Sequence, residues 1–111
     1  MTIYKSAMSG IRVPLQTAAT TGTGTAIAIP SSFKRHIVYI TGSDIPSAGA
    51  VQIEVAGDPS ATVWAPLGGG PITVPDGLVV YEFEGIIGAI RANISTTVTS
   101  GTTTVEYEGC Q

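Results

Sequence analysis

The sequence is short of almost everything that carries reactive chemistry. It has one cysteine, one histidine and one tryptophan in 111 residues. Cys110 cannot form a disulfide within the chain, nor a thiolate metal site by itself. A lone thiol fits folding in a reducing cytoplasm. His36 alone cannot supply the several imidazoles of a zinc, iron or copper centre. Charge is scarce too: 12% of residues are charged, with 5 Lys and Arg against 8 Asp and Glu, about half the usual share. No basic stripe exists beyond Lys34, Arg35 and His36, which argues against nucleic acid as a partner. No stretch approaches the roughly 20 apolar residues of a membrane helix. The start, "MTIYKSAMSG", has no apolar run of signal-peptide length. The expectation is a protein made in the cytoplasm, or one exported without such a signal.

Thr, Ala, Gly, Val and Ile dominate what is present, and no 3.6-residue period survives among them. Residues 1–12 carry no clean period and read as an irregular N-terminal arm. From residue 13 to 111 the chain reads as a single domain of short strands with turn chemistry between them. "GTGTAIAIP" ends at Pro30. "RHIVYITG" puts His36, Val38 and Ile40 on one face and Ile37 and Tyr39 on the other. Both faces are largely apolar, which suits a central strand. "AVQIEVAGDPS" alternates Val51, Ile53 and Val55 with Gln52 and Glu54. Short strands are expected around Trp64 and in "PITV". "LVVYEFEG", "AIRANIS" and "GTTTVEYEG" alternate again. Roughly eight strands at this spacing predict an all-β antiparallel sandwich, with the jelly roll among the strand orders open to it. Between Phe83 and Ile90 the apolar face changes from odd to even residues. The "GIIG" between them therefore reads as a bulge or a hairpin loop, which would bring Glu84 and Arg91 near one kink.

The carboxylates raise the one catalytic question. Glu82 and Glu84 share a strand face roughly 6–7 Å apart, inside the range of paired glycosidase carboxylates. The same Glu-x-Glu pattern returns at Glu106 and Glu108, which favours a polar outer face over one tuned acid–base pair. Asp44 and Asp58 lack calcium-ligand spacing. Gly68 to Gly70 is not followed by the Lys and helix of a phosphate loop. "NIS" at Asn93 to Ser95 matches a glycosylation sequon but lies within an expected strand. Trp64, Tyr39 and Tyr81 suit core filling more than sugar stacking. No catalytic, cofactor or metal residue is assigned, and no enzyme activity is expected.

The stretch "GAIRANISTTVTSGTTTVEYEG" resembles the end of small tailed-bacteriophage virion proteins. The likeness is carried by Gly88, Ala89, Ile90, Arg91, Ala92 and Ile94, then Thr99, Ser100 and Gly101, then Thr103 to Tyr107. "HIVYITGSDIPSAGAVQIEVAGDPSATVWAPLG" resembles their middle. The likeness spans residues 33–109. It implies a β-sandwich virion structural protein, foremost a capsid decoration or cement protein that stabilises the major capsid lattice. A head–tail, tail or fibre component is the alternative. It also implies binding to the major capsid protein or other virion proteins, often as trimers or dimers, with no active site, cofactor, nucleic acid or membrane partner. The residues expected at such an interface are Ile3 and Tyr4 in the arm, with Lys34, Arg35 and Arg91. A different reading is a carbohydrate-binding or adhesin module that uses Trp64.

Overall fold

Period-2 alternation becomes strands wherever β-branched residues supply the apolar half. The computed structural model describes residues 7–68 and 70–111. Among these are nine strands and no helix: β1 (Val13–Ala19), β2 (Ile27–Ala28), β3 (Arg35–Ser43), β4 (Ala48–Ala56), β5 (Ala65–Pro66), β6 (Ile72–Thr73), β7 (Gly77–Glu84), β8 (Ala89–Thr99) and β9 (Thr102–Cys110). The expected alternations fall on β3, β4, β7, β8 and β9. Only Ile27 and Ala28 of "GTGTAIAIP" pair as strand, and Trp64 precedes β5 rather than lying in a strand.

The strands form two antiparallel sheets, β1-β9-β3-β7 and β2-β8-β4-β5, with β6 also on β4. The pairing is nested. The first strand pairs with the last, β2 with β8 and β3 with β7, while β4 takes the short pair β5 and β6. Successive pairs alternate between sheets. This is a long hairpin wrapped around a common core, the strand order of a jelly roll.

Val38, Ile40 and Val105 from one sheet meet Val51, Ile53 and Ile90 from the other, all at 0–1% exposure. Each such side chain contributes about 1.5–3 kcal/mol on burial. Residues before β1 join this packing: Ala7 is 3% exposed. Its N–H donates to Ala28 C=O at 2.9 Å, and Gly10 N–H donates to Gly109 C=O at 3.0 Å. The described part of the expected arm thus spans both sheets at one end of the sandwich.

The "GIIG" stretch is neither bulge nor hairpin. It crosses from β7 in one sheet to β8 in the other. The apolar parity flips because the two strands approach the core from opposite sides. Gly88 permits the crossing: its N–H donates to Ala56 C=O at 3.0 Å, and a Cβ there would lie 1.7 Å from Gly57 O. Glu84 and Arg91 therefore lie on opposite outer faces of the sandwich, not beside one kink.

Candidate functional site

Four polar side chains are buried among the described residues: Gln16, His36, Glu54 and Thr103. Each ties strands together. Thr103 Oγ1 donates to Thr41 C=O at 3.0 Å. Gln16 Nε2 reaches across the sandwich from β1 to Ala92 C=O of β8 at 2.9 Å and to Gly22 C=O at 3.1 Å.

His36, 1% exposed, shares the face of Val38 and Ile40, which the structure turns to the core, so it separates from the exposed Lys34 and Arg35 with which it was grouped. Its Nε2 is 2.8 Å from Gly85 C=O and its Nδ1 is 2.6 Å from Tyr107 Oη. A carbonyl only accepts, so Nε2 carries the proton, and Nδ1 of the neutral ring accepts from the tyrosine. The imidazole also stacks on Phe83, 4.7 Å between centroids. One ring thus joins β3, β9 and the β7–β8 crossing. Gly109 leaves room for this arrangement, since a Cβ would lie 2.3 Å from Tyr107 Oη and 2.5 Å from Phe33. Burial pushes the Tyr107 pKa up, with the Cys110 thiolate adding to it. This contribution to stability is whole below the ordinary tyrosine pKa of about 10. It is lost as pH rises beyond that, at about 1.4 kcal/mol per pH unit at most. Denaturant titrations between pH 9 and 12 should show the decline, and Tyr107→Phe should flatten it.

The outer face of the β2-β8-β4-β5 sheet is covered around Glu54. Glu54, 7% exposed, accepts from Arg91 Nε at 2.7 Å and from Gln52 Nε2 at 2.8 Å. Glu54 and Arg91 are directly opposed on β4 and β8. Over the guanidinium lies the Trp64 ring, 4.2 Å to its centroid. Residues 57–64 carry it there. Asp58 accepts from the Ser60 N–H and hydroxyl, which hold its carboxyl below the ordinary aspartate range. Trp64 Nε1 then donates to Ala61 C=O at 2.9 Å. Arg91 is engaged within the chain, and one face of the Trp64 ring is occupied by it.

The outer face of the other sheet is open. Ile37 has Glu82 on one side and Glu108 on the other; Glu84 opposes Arg35, and Glu106 opposes Tyr39. Arg12 lies over the Tyr39 ring at 3.8 Å, within 3.9 Å of Glu106 and 3.7 Å of Glu108. Tyr39 Oη donates to Glu108 at 3.0 Å. Such exposed pairs contribute about 0–1 kcal/mol each. The two Glu-x-Glu pairs thus share one solvent-facing sheet surface, as their repetition suggested.

Hollows lie among the described residues. One of about 380 Å³ lies along β1, lined by Pro14, Leu15, Gln16, Thr17, Gly24 and Thr25, with no titratable side chain. Another, about 200 Å³, lies over His36, Phe83, Glu82 and Glu84, smaller than ordinary ligand sites. Of the expected interface residues, Lys34 and Arg35 are exposed near the start of β3. Arg91 lies under Trp64 on the opposite face, and Ile3 and Tyr4 fall outside the described residues. Sequence reasoning missed the roles of Glu54 and Tyr107. Alternation gave the face of each, but nothing local in the sequence marks a partner on another strand.

Comparison with protein-family profiles, curated proteins and solved structures finds no match.

Proposed function

We propose that this protein is a structural component of a tailed-bacteriophage virion, a capsid decoration protein that binds the major capsid lattice and stabilises it without catalysis. The observation that carries the reading is how the chain spends its polar groups. Gln16, His36, Glu54 and Thr103 hold strands to one another, so the molecule offers its surroundings sheet faces and edges. Jelly rolls serve viral capsids, lectins and metal-binding cupins alike, and fold alone does not choose among them. Cupin chemistry needs several imidazoles, and this sequence has one, with both ring nitrogens engaged. A lectin reading needs an open aromatic platform, and Arg91 takes one face of the Trp64 ring. The sequence resemblance points to the remaining class.

Quantitative mass spectrometry of purified particles tests this reading. Many stoichiometric copies per particle, lost together with capsid stability on deletion of the gene, are the expected result. Particles that lack the protein overturn it. Density at the neck, tail or fibre in cryo-EM would move the assignment to those components. The contribution of the arm is tested by removing residues 1–6 alone, because Ala7 already belongs to the core. Reduced occupancy on particles is expected.

A further inference from the structure

We infer that the free edge of β7 is a docking site for an extended basic peptide segment, which adds to the β1-β9-β3-β7 sheet as a further antiparallel strand. Exposed strand edges invite pairing, and folded proteins usually blunt them. Here the other edges are blunted. β1 contains Pro14, slips register twice against β9 and carries a φ of +43° at Ala18. β2, β5 and β6 are two residues long, and β5 ends in Pro66. β7 differs in each respect. It runs eight residues without proline and pairs with β3 from Arg35↔Glu84 to Gly42↔Gly77 without a slip.

The phase of that ladder shows what β7 presents. Alternate residue pairs of an antiparallel ladder exchange both backbone bonds. Gly85 N–H donates to Lys34 C=O at 3.0 Å, so the odd residues of β7 bond to β3. The N–H and C=O groups of Leu78, Val80, Glu82 and Glu84 point the other way, and no described backbone group outside the strands pairs with them. The same four side chains line the outer face. Leu78 and Val80 are 58% and 49% exposed, and Glu82 and Glu84 are exposed beyond them. Among the described residues, neither glutamate is in an ion pair. Arg12 serves Glu106 and Glu108, and Arg91 serves Glu54. The complementary strand has apolar residues opposite Leu78 and Val80 and basic ones opposite Glu82 and Glu84.

A second copy of this chain fits poorly. Two-fold pairing centred on Glu82 sets it against itself. Centred on Val80, the pairing sets Glu84 against Asp76. Centred on Tyr81, it sets each glutamate against an apolar residue. The inference stands on the edge itself and does not depend on the virion reading.

The test uses the full chain and the peptide Lys-Thr-Lys-Thr-Val-Thr-Val-Thr, with Glu in place of Lys as its control. Amide hydrogen exchange by NMR should show new protection at Leu78, Val80, Glu82 and Glu84, while the odd residues of β7 stay protected throughout. The basic peptide should bind at least ten-fold tighter than the acidic one at low salt. E82K/E84K should reverse that preference. Val80→Pro removes one outward N–H and no bond to β3, and should abolish binding; if it fails to fold, the charge reversal decides. Equal binding of both peptides overturns the inference, as does no new protection on folded protein. Protection of the four amides before any peptide is added, together with a dimer in sedimentation, would assign the edge to a second copy and overturn it equally.

Discussion

The two outer faces of the sandwich begin from the same sequence pattern and end differently. "QIEV" on β4 and "YEFE" on β7 both alternate apolar residues with polar ones that include glutamate. On β7 the acids stay in water. On β4 the segment after Gly57 folds back, sets Trp64 over Arg91 and closes Glu54 off from solvent. An acidic residue on an outward face is therefore exposed or buried according to where the following loop returns. The same ion pair that would contribute little in the open becomes costly to break once covered.

The widest separation between the faces should come from Gly88→Ala. Its Cβ would collide with the Gly57 backbone, at the root of the segment that carries Trp64. A loss of about 3 kcal/mol or more is expected, with tryptophan fluorescence shifted to the red as the cover lifts. Glu54→Ala comes next. It strands Arg91, whose side chain is 27% exposed, so the cost should be about 2–3 kcal/mol, below that of a fully buried pair. Urea denaturation measures both. Trp64→Ala removes the cover and its cation–π contact and should cost about 1–2 kcal/mol. It should also shrink the effect of Glu54→Ala, so a double-mutant cycle reads the coupling directly. On the open face, Glu82→Gln and Glu84→Gln should each change stability by about 0.5 kcal/mol or less. A loss there as large as that of Glu54→Ala would erase the distinction.

Much of the fold was legible because period-2 alternation reports which side of a strand meets the core. Val51, Ile53, Val105 and Tyr107 follow from it directly, whereas β3, apolar on both faces, left open which side meets the core. Alternation says nothing about which sheet a strand joins, and that is why "GIIG" read as a bulge or hairpin when it is a crossing. Two-residue strands such as β5 and β6 are too short to show any period. Glu54, Arg91 and Trp64 meet through one strand pairing and one returning loop, neither of which leaves a local trace. His36 was not legible as a core residue: both faces of its strand are apolar, and its neighbours Lys34 and Arg35 made it read as part of a solvated basic cluster, whereas it is buried and bonded to Tyr107, 71 residues away.

The nested pairing also bears on synthesis. β9 lies between β1 and β3, so β1 has no sheet neighbour until β9 has left the ribosome. Val13 waits for Tyr107. Such distant pairing belongs with folding in milliseconds to seconds rather than microseconds. A chain cut short before Thr102 would leave β1 and β3 with open edges and a core without Val105 and Tyr107. Translation must therefore reach β9 before the sandwich can close, and an unfinished copy would be exposed to proteases and to aggregation.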